Sequence, residues 1–132
     1  MTKLKSVLLI DDDLMVRQAL GQALEVEHYQ VVSAANRNEA VREVEQCQID
    51  IVLLDLNPRC ENGWDTLQDL TVLRPHLPIV AMTARMELHQ PRSNTHRVHV
   101  LLEKPLNLSV LLQTLKEVAQ QTPNPQRHCH GH

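Results

Sequence analysis

Phenylalanine is absent from this 132-residue chain, and tyrosine and tryptophan occur once each, as Tyr29 and Trp64. Two aromatics cannot build a stacking platform for bases or for a flavin ring. Positive charge is also scarce: 13 lysines and arginines stand against 16 acids, a net charge of −3. The basic footprint of a protein that binds nucleic acid or an anionic membrane is therefore missing. No apolar run approaches the roughly 18–20 residues that a membrane span needs. Lys3 and Lys5 precede an apolar run, Val7–Ile10, that stops after four residues at three aspartates, which excludes a secretory signal peptide. The three cysteines, Cys47, Cys60 and Cys129, are odd in number and irregularly spaced. They make no disulfide framework, and they fit a reducing cytoplasm. What is present is ordinary for a globular domain: 42% hydrophobic residues, 22% charged, and length for one core.

Short apolar runs alternate with longer amphipathic stretches along the chain. Val7–Ile10 and Ile51–Leu54 are continuous apolar runs, the pattern of strands buried on both faces. Gln30–Ala35, Leu77–Met82 and Val98–Leu102 read as three further strands, with Pro78 at a strand start, where a missing N–H is tolerated. Between them, Val16, Ala19, Leu20, Ala23 and Leu24 recur at helical spacing. Asn36 followed by Glu39 predicts a capping box opening a helix that runs to about Cys47. Trp64, Leu67, Leu70 and Leu73 share one face of a third helix, stopped before Pro75. Asn107 caps a last helix whose face is Leu108, Leu111, Leu112, Leu115, Val118 and Ala119. Residues 57–63 read as a loop, and 122–132 as a polar, His-rich, disordered tail after a domain spanning 1–121. Strands alternating with helices predict an α/β fold: a doubly wound, five-stranded parallel sheet with helices on both faces.

In such sheets the ligand site lies beyond the carboxyl ends of the strands, where strand order reverses. Strand one ends in Asp11-Asp12-Asp13, strand three in Asp55, strand four in Thr83-Ala84 and strand five in Lys104-Pro105. Clustered carboxylates repel one another unless a cation joins them, and a hard Mg2+ ion suits two or three carboxylates plus water and a phosphoryl oxygen. Lys104 can neutralise an anion there, and Thr83 can donate a hydrogen bond to it. A carboxylate in that company is set up to attack a phosphoryl group. Asp13 reads differently: an acid at the first turn of a helix is a cap.

Taken together, Leu9-Ile10-Asp11-Asp12-Asp13 with Arg17, Leu53-Leu54-Asp55-Leu56 with Gly63, Met82-Thr83-Ala84 and Glu103-Lys104-Pro105 resemble the receiver domains of two-component response regulators over about residues 4–120. The resemblance implies the flavodoxin-like strand order 2-1-3-4-5. It implies Asp55 as phosphoacceptor, and a Mg2+ site of Asp11, Asp12, Asp55 and the Asn57 backbone carbonyl, with Asp12 favoured as a direct ligand. Thr83 and Lys104 would bind the phosphoryl oxygens, and the Lys104-Pro105 bond would be cis. The donor would be a phosphohistidine of a sensor histidine kinase or phosphotransfer protein. The output would be a switched interaction with an unknown downstream protein target, in the cytoplasm, without membrane or direct nucleic-acid contact. The resemblance implies a domain with Mg2+-dependent self-phosphorylation and dephosphorylation chemistry that would not be a turnover enzyme.

The chain departs from that pattern in places. Pro58-Arg59 stands where the family carries Met-Pro, and Arg97-Val98 where it carries Gly-Ala. Leu101 occupies the position of an aromatic that turns inward on phosphorylation. The segment 85–96 contains Pro91 and no apolar stripe, which predicts a short, displaced or mobile fourth helix of the family's five. The ending Arg127-His128-Cys129-His130-Gly131-His132 could hold a transition metal, but a flexible tail lacks the supporting contacts of a specific site. The main alternative is a pseudo-receiver that binds proteins without being phosphorylated. Asp11-x-Asp13 also imitates a haloacid-dehalogenase-type phosphatase, but Met15 stands where that motif needs Thr or Val.

Overall fold

The structure is a computed structural model that describes residues 5–56, 62–84 and 98–121. Five strands form one parallel sheet: β1 (Ser6–Ile10), β2 (Gln30–Ala34), β3 (Ile51–Asp55), β4 (Ile79–Thr83) and β5 (Val100–Glu103). Their order is β2-β1-β3-β4-β5, as the resemblance implies. The described helices are α1 (Leu14–Val26), α2 (Arg37–Gln46), α3 (Asn62–Leu73) and α4 (Leu108–Gln121). The expected short, displaced or mobile helix within 85–96 and the tail at 122–132 lie outside the described residues.

The period of two in a strand sorts the apolar runs onto two faces. Val7, Leu9, Ile51, Leu53, Val80 and Met82 point to one side, where they meet Leu24 of α1 and Leu111, Leu115 and Val118 of α4. Leu8, Ile10, Val52, Leu54, Ile79 and Ala81 point to the other, against Ala40 and Val44 of α2 and Leu67 and Leu70 of α3. Both faces are covered, so the central strands tolerate no polar residue until they reach the rim. Each fully buried Leu or Ile contributes about 1.5–3 kcal/mol relative to exposure. Trp64 and Leu101 are half-buried against the second cluster, as packing residues.

Capping defines the helix ends. Asp13 is the N-cap of α1, its carboxylate accepting from the N–H groups of Met15 and Val16. At α2, Asn36 Oδ1 accepts from Glu39 N–H, and Glu39 reaches back to the N–H of Ala35, one residue before the cap. α1 ends in a Schellman motif: Tyr29 N–H donates to Leu24 O and His28 N–H to Glu25 O. His28 takes the left-handed position at φ 70°, where glycine is usual. Arg37 ties α2 to α3 through Asp69 and, at 3.7 Å, Asp65.

The start of β5 differs from the sequence expectation. Regular pairing begins at Val80↔Val100, two residues later than the apolar run suggests. His99 is the reason. Its N–H donates to Ile79 O at 2.8 Å, while the N–H of Ile79 donates to the His99 ring nitrogen Nδ1 at 3.2 Å. A side chain thus replaces a backbone carbonyl and holds the ladder open by one step.

Candidate functional site

Register brings the polar strand ends together. Ile10 pairs with Leu54, so the next residues, Asp11 and Asp55, emerge side by side at the switch between β1 and β3. Asp55 pairs with Met82, and Thr83 with Glu103. Leu56 N–H donates to Met82 O and Lys104 N–H to Thr83 O, both at 2.7 Å, which carries the alignment one residue beyond the strands. The register of the apolar strands thus sets the placement of Asp11, Asp55, Thr83 and Lys104.

Carboxylate oxygens of Asp11, Asp12 and Asp55 lie within 4.8 Å of one another. Lys104 Nζ is 2.9 Å from Asp55 Oδ1 and 3.9 Å from Asp11 Oδ2. Thr83 is fully buried beside them on the end of β4. Asp12 is exposed, whereas Asp11 is only 3% exposed. Asp11 Oδ1 accepts from Asp13 N–H at 2.9 Å. Its Oδ2 is buried with no hydrogen-bond partner among the described residues. Burial holds the Asp11 carboxyl above the usual carboxylate range; the Asp13 N–H lowers it again, Asp55 raises it, Lys104 lowers it and Asp12 raises it.

One ammonium shared between two largely buried carboxylates, with a third nearby and Asp11 Oδ2 without a hydrogen bond among the described residues, leaves a local excess of negative charge. Several carboxylate oxygens at one place are the donor set that suits a hard divalent cation. Asp11, Asp12, Asp55, Thr83 and Lys104 therefore converge, as their strand-end positions predict. Asn57 and Cys60 lie outside the described residues. Asp13 is the helix cap that its position suggested, with a second bond that sequence does not reveal, the one to Asp11 Oδ1. The Lys104-Pro105 bond is cis. Arg17, named above only as part of a motif, donates from Nη1 to the carbonyl of Asp11 at 2.6 Å. A long cation four residues after a helix cap was the available signal for that contact.

An open, doubly wound α/β sheet with acids and a lysine at its switch point is the class of domain that carries its ligand site at the carboxyl rim of the strands. A family model described as the response regulator receiver domain matches residues 7–116, and the chain belongs to that family. Receiver domains are signalling phosphoacceptors of two-component systems, generally not turnover enzymes. Among curated relatives, the DNA-binding transcriptional regulator NtrC of Bradyrhizobium is 32% identical over 108 residues, covering 81% of this chain and 22% of that protein. The transcriptional regulatory protein GlrR of Escherichia coli is 27% identical over 117 residues, covering 88% of this chain and 26% of that protein. The chain thus spans about a quarter of the length of these relatives. Among solved structures, a CheY-like receiver domain protein of Methanospirillum hungatei has a TM-score of 0.77 at 25% identity, covering 91% of this chain and 97% of that one. The response regulator TrrA of Thermotoga maritima, in complex with Mg2+ and BeF, has a TM-score of 0.78 at 22% identity, covering 87% and 99%; it shares the fold. No helix among the described residues is long and apolar enough to cross a membrane.

Proposed function

We propose that Asp55 accepts a phosphoryl group from a phosphohistidine of a sensor kinase or phosphotransfer protein, and that the modified domain alters its binding to a downstream protein in the cytoplasm. The observation that carries this reading is the pairing of Asp55 Oδ1 with Lys104 Nζ at 2.9 Å beside an Asp11 oxygen that has no hydrogen-bond partner among the described residues. Lys104 holds one Asp55 oxygen, which leaves the other to attack phosphorus. The new O–P bond forms as the N–P bond to the donor histidine breaks. The bonding pair stays on the imidazole nitrogen, which then takes a proton. Lys104 and the Thr83 hydroxyl receive the phosphoryl oxygens as negative charge builds on them. Asp11, Asp12, Asp55 and the Asn57 carbonyl would hold Mg2+, which when bound supplies positive charge to the carboxylates and the transferring group. The receiver unit is 1–121, with 122–132 a tail.

The test is intact-mass measurement after incubation with acetyl phosphate and Mg2+. The wild type gains one phosphoryl mass, and Asp55→Asn does not. An unmodified wild type, under conditions that label another receiver domain, would turn the assignment to a pseudo-receiver that binds partners without phosphorylation.

A further inference from the structure

Asp11 is gripped at three points. Its N–H donates to Ala34 O at 3.1 Å, which ties it to β2. Its Oδ1 accepts from Asp13 N–H, the residue that caps α1. Its carbonyl accepts from Arg17 Nη1 at 2.6 Å, and Arg17 N–H in turn donates to Asp13 O in the first turn of α1. The β1–α1 connection is thus closed on itself by one helix turn. Arg17 engages the main chain of Asp11, not its carboxylate, so it acts on the site through the geometry of the backbone.

We propose that Arg17 is a positioning residue for the cation site. By holding the Asp11 carbonyl it fixes the peptide that leads into Asp12 and keeps the Asp11 carboxylate beside those of Asp12 and Asp55, with Oδ2 3.9 Å from Lys104. The inference rests on the Mg2+ reading of the site. Without the guanidinium, the peptide between Asp11 and Asp13 gains freedom, and the cation must order it on binding. Partners that orient metal ligands without touching the metal typically lose about 10–100-fold in affinity when removed. A charged hydrogen bond to a carbonyl is also one that a lysine reproduces in part, whereas an alanine cannot.

The experiment compares wild type, Arg17→Ala and Arg17→Lys in the full chain. Three quantities are read: the dissociation constant for Mg2+ alone by calorimetry, exchange of the Asp13 amide by NMR without metal, and the urea midpoint without metal. Arg17→Ala is expected to weaken Mg2+ about tenfold and to speed Asp13 amide exchange, with a urea midpoint close to wild type, and Arg17→Lys to recover part of the affinity. The dependence of acetyl phosphate labelling on Mg2+ concentration shifts by the same factor, while the rate at saturating Mg2+ changes much less. Unchanged Mg2+ affinity in Arg17→Ala overturns the proposal, as does a loss of affinity that only tracks a fall in the metal-free urea midpoint. A wild type that binds no Mg2+ overturns the underlying site reading, and the positioning role with it.

Discussion

Asp11→Asn should make the metal-free protein more stable while weakening its response to Mg2+. The wild-type carboxylate is almost wholly buried. Lys104 Nζ lies 3.9 Å from Oδ2, an attraction of about 4 kcal/mol at an effective dielectric near 20. Asp55, with an oxygen within 4.8 Å, repels it by about 3.5 kcal/mol on the same scale, and Asp12 adds to the repulsion from a more solvated position. The charges nearly cancel, so burial of a charged oxygen that has no hydrogen bond among the described residues dominates, in keeping with burial as the first cause that raises the Asp11 carboxyl. Leaving such an acceptor unsatisfied costs about 1–3 kcal/mol. In the variant the amide oxygen still accepts from Asp13 N–H, and the new NH2 donates toward Asp55. A gain of about 1–2 kcal/mol is expected, roughly 4–8 °C in Tm for a domain of this size. Thermal melts in EDTA at pH 7 measure it. The gain depends on pH. A folded-state carboxyl raised above its unfolded value of 3.8 lowers stability once ionised, above its folded pKa, and not below the unfolded one. The two proteins should therefore converge as pH falls toward 3.8. With Mg2+ at ten times the wild-type dissociation constant, the wild type gains about 1.4 kcal/mol. The variant, one carboxylate poorer, gains less. A variant less stable than wild type in EDTA at pH 7, or one with an equal Mg2+-dependent gain, would refute the reasoning.

His28 sits at φ 70° as the left-handed residue of the α1 Schellman motif, so His28→Gly should raise stability by about 1 kcal/mol, visible as a higher urea midpoint at unchanged m-value. His99 is exposed as a residue, but its Nδ1 accepts from Ile79 N–H and burial lowers its pKa below 6.5. The unfolded chain therefore takes the proton first. Stability should fall as pH drops below 6.5 toward the folded pKa, and urea midpoints of His99→Gln against wild type from pH 5 to 8 should show that slope only in the wild type. Leu101 lies half-buried opposite Ala81 on a four-residue strand whose far end is pinned by Lys104 N–H to Thr83 O. It has no ring to exchange between buried and exposed positions. Hydrogen exchange with and without Mg2+ and beryllofluoride should therefore change little at residues 100–103, and a large change centred on Leu101 would assign it the switching role.

Much of the architecture is written locally. Val7–Ile10 and Ile51–Leu54 are apolar without interruption because both of their faces are covered, and with the amphipathic stretches between them that pattern suits a sheet between two helix layers. Asp13, Asn36 and Asn107 announce helix starts because a short polar side chain answers N–H groups two or three residues ahead. The strand-end positions of Asp11, Asp55, Thr83 and Lys104 follow from those same runs, since an apolar strand can turn polar only at a rim. What sequence alone left open depends on register between distant segments. The 2.9 Å approach of Lys104 to Asp55, the burial of Asp11 Oδ2 with no hydrogen bond among the described residues, and the displaced start of β5 at His99 are products of strands 20 to 50 residues apart lying one step in or out of alignment. A period of two says which face a residue takes but not which neighbour it meets. Only the packed sheet decided that Asp11 would be buried and Asp12 exposed, and that Arg17 would reach back to the carbonyl between them.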